Sequence, residues 1–119
     1  MDIARFRDFC LAFPHAEESL PFDENALVFK VMGKIFAITD IEKWDMVIVK
    51  CDPAEAVELR ETYDFVQPGY HMSKKHWNSI MIVPELPDPL LRKWVQDSYD
   101  LVVASLPAKT RRLMQQGNE

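Results

Sequence analysis

The sequence predicts an α+β protein, an antiparallel β-sheet of four or more strands packed with about three helices. Short β-rich runs follow one another through connections far too brief for the crossover of roughly a dozen residues that parallel strands need. Two helices begin with an Asp-Pro pair, Asp52-Pro53 and Asp88-Pro89, in which the acid caps free amides and proline fits the first helical position. A third helix is expected at the N-terminus.

In chain order, Ile3, Phe6, Phe9, Cys10 and Phe13 recur at helical spacing, with Asp2 as the cap and Pro14 as the stop. His15 to Asn25 mixes Glu17, Glu18, Asp23 and Glu24 with Pro21 and Phe22, has no period, and is expected to be an acidic connecting loop. Ala26 to Val31 and Ile35 to Thr39 are strands joined at Met32-Gly33-Lys34, where the glycine supplies a positive φ. Asp40 to Asp45 is a polar connection and Met46 to Lys50 a third strand. In the helix from Pro53 to about Tyr63, Ala56, Val57, Leu59 and Tyr63 cover one side, leaving Glu58, Arg60 and Glu61 to water. Gln67-Pro68-Gly69 turns the chain, and Ser79 to Val83 is the fourth strand. The longest helix follows, with Leu91, Trp94, Val95, Ser98, Leu101, Val102 and Ser105 on one side up to Pro107. Ala108 to Glu119 is expected to be a short helical turn or a frayed tail.

The strands carry apolar residues at both parities, whereas a sheet with one wet face should alternate. Both faces are therefore expected to be covered at least in part, the second by helices, a ligand or another copy of the chain.

At 119 residues the chain is expected to form a single domain spanning residues 1–119. It is 48% hydrophobic and 28% charged, as soluble globular proteins are. No run is long enough to span a bilayer, no basic and apolar leader is seen, and a cytoplasmic location is expected. Cys10 and Cys51 both read as small buried hydrophobes, which does not support a redox role. The net charge of -5 disfavours a general affinity for polyanions. Met1 to Thr62 carries 13 acids against 7 Lys and Arg, while Tyr63 to Glu119 carries 6 against 7, so an anion would dock on the second half.

Gln67 to Asn78 gathers Tyr70, His71, Lys74, Lys75, His76 and Trp77 into one basic and aromatic stretch. A two-residue turn at Ser73-Lys74 would set His71 across from His76 and Tyr70 across from Trp77. No His-x-x-x-His or Cys-x-x-Cys pair exists, so neither a metal nor any other cofactor is expected. A histidine base would need a nucleophile or pocket from elsewhere in the chain, and no catalytic residue is assigned. The lysines can pair with phosphates and the rings can stack, although so few cations imply weak, salt-sensitive DNA binding. The bland alternative makes Tyr70 and Trp77 core or rim aromatics and the lysines a solvated turn.

Pro68-Gly69-Tyr70-His71-Met72-Ser73-Lys74-Lys75-His76-Trp77-Asn78, with Val28 to Ala37 before it and Ser98-Tyr99-Asp100-Leu101-Val102 after it, resembles the MmcQ/YjbR family of small bacterial proteins. The resemblance covers nearly the whole chain in order. It implies a CyaY-like, frataxin-like arrangement, and members are often described as DNA-binding through a proposed double-wing shape. Iron is not carried over, because Glu17, Glu18, Asp23 and Glu24 fall in a loop and the first helix offers only Asp2 and Asp8. The expectation is a non-enzymatic protein that contacts DNA through Lys74, Lys75, His71, His76, Tyr70 and Trp77. The alternative is a module binding a protein partner, a second copy or a small anion through the same ridge, and an enzyme with a histidine base stands third.

Overall fold

The computed structural model describes residues 1–116. Its elements are α1 (Ile3–Leu11), β1 (Ala16–Ser19), β2 (Ala26–Val31), β3 (Lys34–Asp40), β4 (Met46–Lys50), α2 (Pro53–Thr62), β5 (Val66–Pro68), β6 (Trp77–Met81), α3 (Asp88–Ser105) and α4 (Ala108–Gln116). The strands form one antiparallel sheet in the order β1-β2-β3-β4-β6-β5. Two of the three expected caps form: Asp2 accepts from the Arg5 amide and Asp52 from the Glu55 amide, whereas Asp88 lies inside the first turn of α3, whose N-cap is Pro87 without a side-chain cap bond, and pairs with the N-terminal ammonium of Met1 instead. Met32 and Gly33 lie at φ 48° and 83°, the left-handed pair that a two-residue hairpin turn needs.

Four expectations about the elements themselves also require correction. The acidic loop His15 to Asn25 contains β1, paired with β2 from Ala16–Val31 to Ser19–Val28. It has no apolar period because an edge strand is held by backbone pairing, and its inward-leaning Glu18 is met by Arg7 of α1 rather than by an apolar side chain. The fourth predicted strand begins two residues early, at Trp77, since polar Asn78 and Ser79 are buried inside β6. Gln67 and Pro68, expected to turn the chain together with Gly69, instead join Val66 in the outer strand β5 (Val66–Pro68), where a proline is tolerated because no further strand needs its amide. The expected short turn or frayed tail includes the nine-residue helix α4, anchored by buried Met114, whose carbonyl lies 2.9 Å from His15 Nε2. Residues 117–119 of that expectation lie outside the described residues.

The main core lies between the sheet and helices α1 and α3. Phe6 meets Phe29 edge-on at 5.6 Å, Phe36 meets Tyr99 at 5.3 Å, and Phe13 stacks on Tyr99 at 4.6 Å. The Tyr99 hydroxyl donates to the Pro14 carbonyl at 2.7 Å, tying the exit of α1 to α3. Cys10 and Cys51 are free and buried, and desolvation pushes the Cys51 thiol up to about 11.

A β-bulge explains part of the apolar content at both parities. Phe29 pairs with Ala37 and Lys30 with Ile35, so Phe36 is the extra residue, and both Phe36 and Ala37 join the helix-side core. Pairing of β3 with β4 stops at Ala37–Val49. Ser98 of α3 supplies the missing partner: its Oγ donates to the Phe36 carbonyl at 2.6 Å and accepts from the Lys50 amide at 2.8 Å. The rest of the explanation lies on the opposite face, where Val28, Ile38 and Ile48 form a second apolar cluster with Ile35, Met46, Met72 and Trp77.

Ser98→Ala leaves a buried carbonyl and a part-buried amide without partners, and is expected to lower unfolding free energy by about 2–3 kcal/mol in urea titration. A loss below about 0.5 kcal/mol would show that the hydroxyl does not hold the bulge.

Acidification is expected to loosen β1 early. Arg7 holds the Glu18 carboxyl below the ordinary range through a hydrogen bond and charge attraction, so that contribution is present above the unfolded-state value and is lost as pH falls through the folded one. Hydrogen exchange of the β1 amides should quicken in that window before global unfolding, and Glu18→Gln should remove the effect.

Candidate functional site

The loop joining β5 to β6, residues 69–76, carries most of the basic and aromatic stretch. The turn at Ser73-Lys74 does not form the hairpin that would oppose His71 to His76. The last ladder pair is Pro68–Asn78, the Gly69 amide donates to the Trp77 carbonyl at 2.9 Å, and the amides of both His76 and Trp77 donate to the Ser73 carbonyl. Gly69 is required by close approach: a Cβ there would lie 2.6 Å from that of Trp77.

Three polar contacts fix the loop to the body. The Tyr70 amide donates to Ser79 Oγ at 2.9 Å, and the Cys51 amide donates to the His76 carbonyl at 2.8 Å. Arg60, which the sequence assigned to water, is half buried; its guanidinium donates to Asn78 Oδ1 at 2.9 Å and to the Lys74 carbonyl. Asn78 is itself buried and donates to the Ala56 carbonyl. A helix thus holds the loop by its backbone, and Arg60 is not available as a surface cation.

Of the six predicted site residues, Tyr70, His71, Lys74, Lys75 and His76 are exposed, and Trp77 is half buried against the second-face cluster. No ion pair among the described residues engages Lys74 or Lys75. His71 stands at φ 58°, a left-handed conformation uncommon for a residue other than glycine, and its ring lies 4.0 Å from that of Tyr70. Among the described residues neither His71 nor His76 hydrogen-bonds through its ring, and no three His, Cys, Asp or Glu side chains gather to hold a metal ion.

The loop also builds something that the sequence did not disclose. Tyr70, His71 and Met72 form one wall of a groove of about 550 Å³ on the second face of the sheet. Phe22 and Asp23, in the β1–β2 connection, form another, while Ile38, Met46 and Ile48 line it from the central strands. Phe22 is 67% exposed and Tyr70 60%. Asp40, Lys43 and Asp45 line it at the β3–β4 connection. The available signals were the apolar residues at both strand parities and an aromatic ring set among acids at Phe22. Neither signal says which loops meet across the sheet.

Gly69→Ala drives a methyl group into Trp77 and is expected to cost about 1–3 kcal/mol. The backbone resonances of Tyr70 to His76 should move with it; if they stay in place, the close approach to Trp77 does not set the loop.

The YjbR family model matches residues 11–101. The chain is 33% identical over 117 residues to the uncharacterized protein YjbR of Escherichia coli (strain K12), covering 98% of this chain and 99% of that one. It is 34% identical over 108 residues to the uncharacterized protein YbdF of Escherichia coli O157:H7, covering 90% and 88%. Among solved structures, that of the Deinococcus radiodurans protein DR2400, described with the domain DUF419, aligns with a TM-score of 0.88 at 33% identity, over 95% of this chain and 87% of that chain. The matched region contains the sheet, the loop at 69–76 and the residues lining the groove, and the chain accordingly belongs to the YjbR family.

Proposed function

We propose that the protein is a non-catalytic binding module whose ligand enters the groove between Phe22 and Tyr70. The supporting observation is the concavity itself: about 550 Å³, with apolar residues from the central strands and two exposed aromatic rings among its lining. Small-molecule sites have this size and this mixture of apolar surface with a few polar groups. Exposed Phe22 and Tyr70 can cover a ligand at low entropic cost, since each ring has only two side-chain torsions to fix.

A second reading, DNA contact at the outer part of the loop, is favoured by the exposure of Lys74, Lys75 and His76 and by the absence of ion pairs to the lysines among the described residues. Two lysines would neutralise about two phosphates, so the logarithm of affinity should fall with that of salt at a slope of about −2.

The two readings separate experimentally. With neutral aromatic fragments, amide shifts are expected at residues 22–26, 38–48 and 70–72, to be insensitive to salt, and to vanish in Phe22→Ala with Tyr70→Ala; no shifts in the native protein would remove the groove reading. In fluorescence anisotropy with duplex and single-stranded DNA at two salt concentrations, DNA binding should disappear in Lys74→Glu with Lys75→Glu. Binding unchanged by that double reversal would exclude the lysines as phosphate contacts.

A further inference from the structure

Resting on the groove as the binding site, we propose that its ligand is a small, flat organic cation: an aromatic or conjugated body bearing an ammonium, amidinium or guanidinium group. The body of the ligand is specified by Phe22, Tyr70 and the apolar residues of the central strands, and its charge by the rim.

Three carboxylates, Asp23, Asp40 and Asp45, line the groove against one cationic side chain, Lys43. The first two are held in place by their own turns. Asp23 Oδ1 accepts from the amides of Asn25 and Ala26, each at 2.7 Å, and Asp40 Oδ1 accepts from those of Glu42 and Lys43 at 2.9 and 2.7 Å. The second oxygen of each carboxylate makes no hydrogen bond to another described residue. The turn amides also keep the Asp23 carboxyl below its ordinary range, so it remains charged at neutral pH. An incoming cation therefore meets fixed acceptors and aromatic faces, and both attract positive charge. An anion would meet net negative charge at the same rim. The sequence-based expectation of a small-anion site consequently applies to the Lys74 and Lys75 side of the loop and not to the groove.

Charge selection is tested with three compounds of one shape: 1-naphthylmethylammonium, 1-naphthylmethanol and 1-naphthalenesulfonate, each titrated into the full chain by calorimetry and amide shift mapping. The ammonium compound is expected to bind about tenfold tighter than the alcohol, and the sulfonate more weakly than either. Asp23→Asn with Asp40→Asn retains the oxygens that accept the turn amides while removing the charge. It should bring the ammonium compound down to the alcohol's affinity, with the alcohol's own binding and the far-ultraviolet circular dichroism retained as evidence that the turns still form.

Equal binding of ammonium compound and alcohol, or ammonium binding unaffected by the double amide variant, overturns the cation proposal. If the alcohol still binds and is lost in Phe22→Ala with Tyr70→Ala, the groove reading survives that failure. If none of the three compounds shifts the groove resonances, both fall.

Discussion

One hydroxyl group reconciles the helices with the sheet. The bulge at Phe36 turns an additional large ring toward α1 and α3, and in doing so removes a carbonyl and the facing Lys50 amide from the β3–β4 ladder. Ser98, fully buried, engages both. Without such a partner, the packing gained by Phe36 would be set against buried backbone groups deprived of hydrogen bonds. The consequence reaches across the sheet, because β3, which carries the bulge, also presents Ile38 on the opposite face, paired with Ile48 of β4.

That opposite face is finished by loops instead of helices. Met72 and Trp77 pack on its apolar cluster, and the loop between them is held through its backbone by Arg60, Ser79 and Cys51. The outer positions consequently remain exposed without being loosely attached. His71 keeps a positive φ in this arrangement, a strained conformation of the sort that binding sites retain when the surroundings over-determine it. Backbone anchoring of this loop favours binding because less freedom is lost when a ligand arrives.

The sequence made legible what is decided locally. Asp52-Pro53 and Asp88-Pro89 marked two helix starts, Met32-Gly33 marked a hairpin, and dense β-branched runs marked β2, β3 and β4. It obscured elements whose stability comes from a distant partner. β1 is recognisable only once Arg7 is known to meet Glu18, and β5 only once β6 is beside it. Arg60 looked solvated because its helix position says nothing of Asn78 and Lys74. For the site, the stretch from Tyr70 to Trp77 was visible as composition, but Phe22 and Asp23 join Tyr70 and His71 only through the order of the strands.

The two outer strands of the sheet have a bearing on how the protein behaves at high concentration. β1 places Glu17 and Glu18 on one open margin, and β5 is only three residues long and closes with Pro68 on the other. Charge, shortness and a missing amide donor each discourage a neighbouring chain from continuing the ladder. A molecule with apolar side chains on both sides of its sheet is thereby protected at its margins from growing into fibrils, and can leave a hydrophobic recess open to solvent without recruiting copies of itself strand by strand.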